Sequence, residues 1–143
     1  MELWKPFADA FQTDALTLFK TDHWTVMVRK GQVTLGSLVL AANRNFVSAA
    51  ELTRDEVLEF PQVVARLESA LSNAFAFDKI NYLCLMMTDR HYHFHVIPRY
   101  REARRFEGKE WTDADWPGPP NVAVPPLEER ELIAIRDHLK QYI

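Results

Sequence analysis

Three of the five histidines in the chain stand in His91-Tyr92-His93-Phe94-His95. Side chains of an extended strand alternate between its two faces, so His91, His93 and His95 share one face while Tyr92, Phe94 and Val96 share the other. This spacing predicts one chemical face and one core face. Alternate α-carbons lie about 6.6–6.8 Å apart and the outer pair about 13 Å apart, so the imidazoles form a row rather than a cage around one point. One use of such a row is metal binding: two histidines two apart can share an ion, with Asp89 or Glu102 as a conceivable third ligand. No second His/Asp/Glu motif with recognisable ligand spacing supports that use. The other is attack of a neutral imidazole on phosphorus, with neighbouring imidazoles donating hydrogen bonds to the phosphate oxygens. The attacking ring then needs its second nitrogen fixed by a hydrogen bond, so that the first carries no proton.

The elements that must hold this strand can be read from apolar patterning. Leu16 to Lys20 and Trp24 to Lys30 read as strands joined by the turn-prone Thr21-Asp22-His23, a hairpin. A third extended run, Val33 to Ala41, is interrupted by Gly36, where a bulge or a close backbone approach is expected. Thr53 with Glu56 has the capping-box pattern, and Val57, Phe60, Val64, Leu67, Leu71 and Phe75 recur at helical spacing, which makes this the main amphipathic helix. Pro61 within it predicts a kink or two abutting helices. Ile80 to Met87 and His91 to Tyr100 flank Thr88-Asp89-Arg90 and read as an antiparallel pair. Residues 106–126 read as an ordered loop, with five prolines from Pro117 to Pro126 and the tryptophans Trp111 and Trp116. A closing helix spans about 127–141. Strands, a helix, a second strand pair and a last helix make an α+β domain with a mostly antiparallel sheet.

His91-Tyr92-His93-Phe94-His95-Val96-Ile97 resembles the motif of the histidine triad (HIT) superfamily of nucleotide hydrolases and transferases, and Pro98-Arg99 continues the likeness. Leu38-Val39-Leu40 looks like the family's Leu-Val-Ile strand, the helix from Thr53 falls where its long helix should, and Asn81 resembles its asparagine before the triad. The likeness spans roughly residues 25–100 and is closest to the branch described as diadenosine-polyphosphate-hydrolase-like. It implies a single domain over residues 1–143, with a five-stranded sheet, one long helix and a C-terminal helix. It also implies cleavage of a phosphoanhydride or phosphoramidate bond at the α-phosphate of a nucleotide through a covalent phosphohistidine.

The same resemblance makes His93 the nucleophile, and His91 and His95 phosphate ligands and proton managers. Asn81 would orient nucleotide or nucleophile, and Arg99 would join it in binding substrate. Thr88 matches a hydroxyl position near the scissile phosphate, although a turn residue bonding its own backbone would look the same. No cofactor or metal is implied, and the family's homodimer carries over as an expectation. The chain departs from the family in two places: Gly36 stands where an upstream histidine is frequent, and Leu85-Met86-Met87 replaces a Gly-Gln loop. These departures keep open a nucleotide-binding module with vestigial turnover, and a His-ligated metallohydrolase stands as a further alternative.

Composition bounds the rest. With 143 residues, 48% hydrophobic and 26% charged, the chain has ordinary globular usage and the size of one domain. A net charge of -3 argues against a broad nucleic-acid-binding surface. Arg99, Arg101, Arg104 and Arg105 could add local positive potential, but a solvated charged face is the simpler account of them. Trp111 and Trp116 fit core packing better than stacking on a base. The lone Cys84 lies in an apolar run and is expected to be a buried thiol. Neither a signal-peptide pattern nor a membrane-length apolar run is present, so a cytoplasmic protein with no membrane partner is expected.

Overall fold

The computed structural model describes residues 3–143. Two short helices come first, α1 (Trp4–Phe11) and α2 (Thr13–Leu16), followed by strands β1 (Thr17–Lys20), β2 (Trp24–Val28) and β3 (Leu38–Ala42). A 3₁₀ turn at Ala49–Glu51 leads into α3 (Arg54–Phe75), then β4 (Lys79–Leu83), β5 (His93–Arg99), the small hairpin β6 (Arg104–Phe106) and β7 (Lys109–Trp111), and α4 (Glu129–Lys140). The main sheet has the order β1-β2-β3-β5-β4, and every pairing is antiparallel. The expected α+β architecture is therefore present, with its five strands, long helix and C-terminal helix.

The sheet is covered on both faces, and the two coverings differ. Trp24, Val26, Val28, Leu38, Leu40 and Val96 face the main core under α3 and α4, where Val63, Leu67, Leu71, Leu132, Ile135 and Leu139 pack. Met27, Val39 and Ala41 face the other way and pack with Phe7 of α1, flanked by Trp4 and Phe11. Every residue of β2 and β3 is consequently buried, which is why these strands read as continuous apolar runs rather than alternating ones. The residues of α1 carried no expected structure; its covering of the histidine face is the main element that sequence patterning missed.

α3 begins with the expected capping box: Thr53 Oγ1 accepts from Glu56 N at 3.2 Å, and Glu56 Oε1 accepts from Thr53 N at 2.8 Å. Glu56 is also bound through both carboxylate oxygens by Arg44, at 3.0 and 3.1 Å. The two-helix alternative at Pro61 is not realised, since α3 runs unbroken through it. Pro61 and Val57, whose carbonyl its missing N–H would have bonded, are both exposed, so the break in the hydrogen-bond ladder falls on the solvent side of the helix.

Two further expectations are corrected. Cys84 is exposed rather than buried, because β4 ends at Leu83 and the chain leaves the sheet there. Leu85 and Met87 are exposed with it, so the apolar run Ile80–Met87 is half strand and half connector. Within residues 106–126 the chain is not loop alone: the β6–β7 hairpin turns at Glu107-Gly108, and Trp111 packs against the main core. Among the described residues, no helix is long and apolar enough to cross a membrane.

Candidate active site

β5 lies between β3 and β4, with His93 opposite Ala41 and His95 opposite Val39 on one side and Leu83 on the other. Odd-numbered residues of β5 therefore share the α1 face of the sheet, as strand alternation demands. His91 precedes the strand, and its Nε2 bonds the carbonyl of Ala42. Nδ1 of His93 donates to the carbonyl of His91 at 2.6 Å. The single proton of a neutral His93 ring is thereby placed on Nδ1, and Nε2 is left unprotonated.

α1 divides the row. Its aromatic rings lie over the first two imidazoles: Trp4 and Phe7 are 5.1 and 5.0 Å from His91, and Phe7 and Phe11 are 5.1 and 5.6 Å from His93, centroid to centroid. His91 and His93 are 1% and 2% exposed as a result. A cavity of about 330 Å³ opens beside them, and His93 and His95 line it whereas His91 does not. Its other walls are Phe11 at the end of α1, Arg29 to Gly31 after β2, the connector residues Leu85, Met87, Thr88 and Asp89, and Val124 with Pro126.

Arg29 is the site residue that the sequence did not disclose. Its Nε donates to Nδ1 of His95 at 3.1 Å, Nη1 to the carbonyl of Gly31 at 2.6 Å, and Nη2 to the carbonyl of Val122 at 3.0 Å. Nothing in the run Trp24 to Lys30 marks it, because two of its three partners come from β5 and from a segment more than 90 residues away. Burial, then the charge of Arg29 and the ring of His93, push His95 down to about 3. Burial also lowers His93, against the opposing effects of the His91 carbonyl and Asp89. Both rings are neutral at physiological pH.

The remaining sequence-derived residues divide between two places. Thr88 lines the cavity with His93 and His95. Asn81, opposite Ile97, and Arg99 lie on the same face but at the far end of β5. There Arg99 binds Asp113 through Nε at 2.8 Å and Nη2 at 3.1 Å, and donates through Nη1 to Asn81 Oδ1 at 2.9 Å. These two residues border a separate depression with Pro117 to Pro120. Arg104, from the same basic run, donates to the carbonyls of Phe75 and Ala76 at the end of α3.

The two departures from the family pattern have local causes. Gly36 has φ +89°, and a β-carbon there would lie 2.9 Å from Leu71 Cδ2 and 3.1 Å from Phe75 Cδ2, so α3 leaves no room for a histidine. Met86, in the stretch replacing the Gly-Gln loop, has φ +54°, the left-handed conformation that a glycine adopts without strain. Among the described residues, no group of three or more His, Cys, Asp or Glu side chains is arranged to hold a metal ion.

Neither a protein-family model nor a curated protein matches the sequence. Solved structures do match the fold. A histidine triad protein from Sinorhizobium meliloti 1021 superposes with a TM-score of 0.70 at 20% identity, covering 94% of each chain. One from Bradyrhizobium japonicum gives 0.70 at 22% identity over 92% of this chain and 94% of its own. A zinc-bound histidine triad family protein from Mycobacterium smegmatis gives 0.62 at 17% identity over 95% and 93%. Two-sided coverage above nine-tenths leaves no large element of this chain unmatched, and the fold is that of the histidine triad proteins.

Proposed function

We propose that this chain is a histidine triad nucleotide hydrolase or nucleotidyl transferase that cleaves a phosphoanhydride or phosphoramidate bond at an α-phosphate. The observation that carries this reading is the bond from His93 Nδ1 to the His91 carbonyl, beside a cavity that His93 and His95 line. It supplies a neutral, oriented imidazole with an unprotonated Nε2, which is what a nucleophile for phosphorus needs. His93 attacks the α-phosphorus, the leaving group departs, and water then releases the nucleoside monophosphate from the histidine. Thr88 and His95 supply polar groups to the cavity, and Arg29 and Lys30 add positive charge for the phosphates. Phe11, Leu85, Met87 and Val124 offer apolar surface for a base, and the volume lies in the range of about 300–1,000 Å³ usual for small-molecule sites.

Dinucleoside polyphosphates are the first substrates to test, with nucleoside phosphoramidates beside them. Rapid quenching under conditions that preserve phosphoramidates should trap a nucleoside monophosphate on the peptide containing His93. Two in-line displacements retain configuration at a chiral phosphorus, so net inversion with no trapped adduct sinks the covalent route. Tight nucleotide binding without product favours the vestigial module, and loss of activity to a chelator favours the metallohydrolase. We also propose a homodimer joined through the sheet edge at β4, which is partly exposed along its length; a monomeric mass by light scattering at micromolar concentration counts against it.

A further inference from the structure

We propose that Arg29 is a positioning residue: it selects the tautomer of His95 and clasps residues 121–127 against the site. This inference rests on the nucleotidyl-transfer reading above and extends it to a residue outside the triad. An arginine cannot accept a hydrogen bond, so the 3.1 Å contact from its Nε makes His95 Nδ1 the acceptor. The proton of the neutral ring then sits on Nε2, which becomes an N–H donor for a phosphate oxygen or a leaving group. His93 has the opposite arrangement, with its proton on Nδ1. Two adjacent imidazoles, 5.0 Å apart by centroid, are thus set as acceptor and donor by different partners.

The planar guanidinium makes this setting rigid. Its two terminal nitrogens are held by the carbonyls of Gly31 and Val122, so the Nε–H has little freedom to turn from His95. Val122 precedes Val124 and Pro126, which wall the cavity, and Leu127 N bonds the carbonyl of Lys30 at 3.0 Å. The same arginine therefore fixes a ring of the triad and one wall of the site. Gly31 is the space that this clasp requires: a β-carbon there would lie 2.9 Å from both Arg29 Nη1 and the Val124 carbonyl oxygen. The other titratable or charged groups around the cavity are His93, Lys30 and Asp89; of these, only Asp89 could favour an imidazolium.

Nitrogen-15 spectra of the histidine rings, collected as a pH series beside turnover assays, test the proposal. The full chain should show His95 neutral and in the Nε2–H form across pH 5–8. In Arg29→Met the ring should become a tautomer mixture, with its midpoint raised by at least about one unit toward the ordinary value of about 6.5. Turnover should fall by roughly tenfold to a hundredfold, mostly in kcat, with the acid limb of the pH profile moving up. Arg29→Lys should restore the single tautomer but only part of kcat, because one ammonium cannot hold a ring nitrogen and two carbonyls in a plane. Gly31→Ala, which displaces the guanidinium without removing it, should shift the ring signals the same way by less, and serves if Arg29→Met does not fold. Unchanged His95 tautomer and midpoint in folded Arg29→Met, or in Gly31→Ala where that variant alone folds, overturns the proposal. Ring signals that follow Arg29 in a protein that turns over no nucleotide support the positioning role and refute the proposed function instead.

Discussion

Two arginines approach the histidine face of the sheet from opposite ends, and their partners give them different work. Arg99, at the end of β5, meets a carboxylate: Asp113 takes its Nε and Nη2, and Asn81 takes Nη1. Both members of that ion pair are at most 5% exposed, so their charges are spent on each other. Arg29 meets no carboxylate. It donates to a neutral ring and two carbonyls, which accept hydrogen bonds but leave its positive charge uncancelled beside the cavity. Removing one member of a buried ion pair strands the other charge, whereas the half-buried Arg29 guanidinium, bound only to neutral acceptors, keeps its field at the cavity. The arginine beside the motif is held by a carboxylate, and the one about 70 positions upstream lines the histidine cavity with its charge unpaired.

Substitutions at each end should separate these roles. The largest effect is expected at His93→Ala, which should cut turnover at least about a thousandfold while the circular dichroism spectrum stays native, because the ring borders a cavity and not the main core. Retained activity would dissolve the distinction between the two ends of β5. At the other end, Asp113→Ala strands Arg99 and should cost about 3–5 kcal/mol in urea unfolding, while kcat of the folded fraction stays within a few-fold of wild type. A kcat loss as large as that of His93→Ala would mean that the Arg99 cluster takes part in the chemistry.

Acid should divide the ends by pH. The folded His95 is held down at about 3, so the unfolded chain binds its proton first. Stability should therefore decline as pH falls below about 6.5 and continue declining toward 3. Burial alone would raise Asp113, but Arg99 and the Tyr100 N–H hold it below its ordinary 3.8, so its contribution is present above that value and is lost only as pH falls further. His95→Gln should flatten the upper window and leave the lower one; an unchanged slope between pH 6.5 and 4 would show that His95 titrates normally. The smallest effect is expected at Arg105→Ala on the exposed face of β6, within about 0.5 kcal/mol of wild type and with unchanged kcat/KM. A several-fold drop in kcat/KM there would restore the basic run as part of substrate binding.

Much of this molecule was legible locally. Period-two alternation put the histidines on one face, the capping box located the start of α3, and apolar spacing found the strands of the main sheet and α4, but not the β6–β7 hairpin. These signals are short-range, since they arise from backbone geometry within a few residues. Cys84 shows where such reasoning fails: hydrophobicity alone cannot tell a strand's last residues from a connector that carries apolar side chains out to a cavity rim. Pro61 shows the same for helices, because whether a proline breaks a helix depends on which side of it faces water.

The sequence by itself determined the row of imidazoles, the face they share, and the need for a fixed tautomer at the attacking ring. Only the tertiary structure decided which carbonyl fixes it, that His91 lies under Trp4 and Phe7 away from the cavity, and that Arg29 reaches His95 while Arg99 is taken by Asp113. The division has a physical basis. Alternation and capping are set by bonds between near neighbours, whereas a hydrogen bond across 66 residues exists only because chain packing brings β2 and β5 into one sheet with β3 between them.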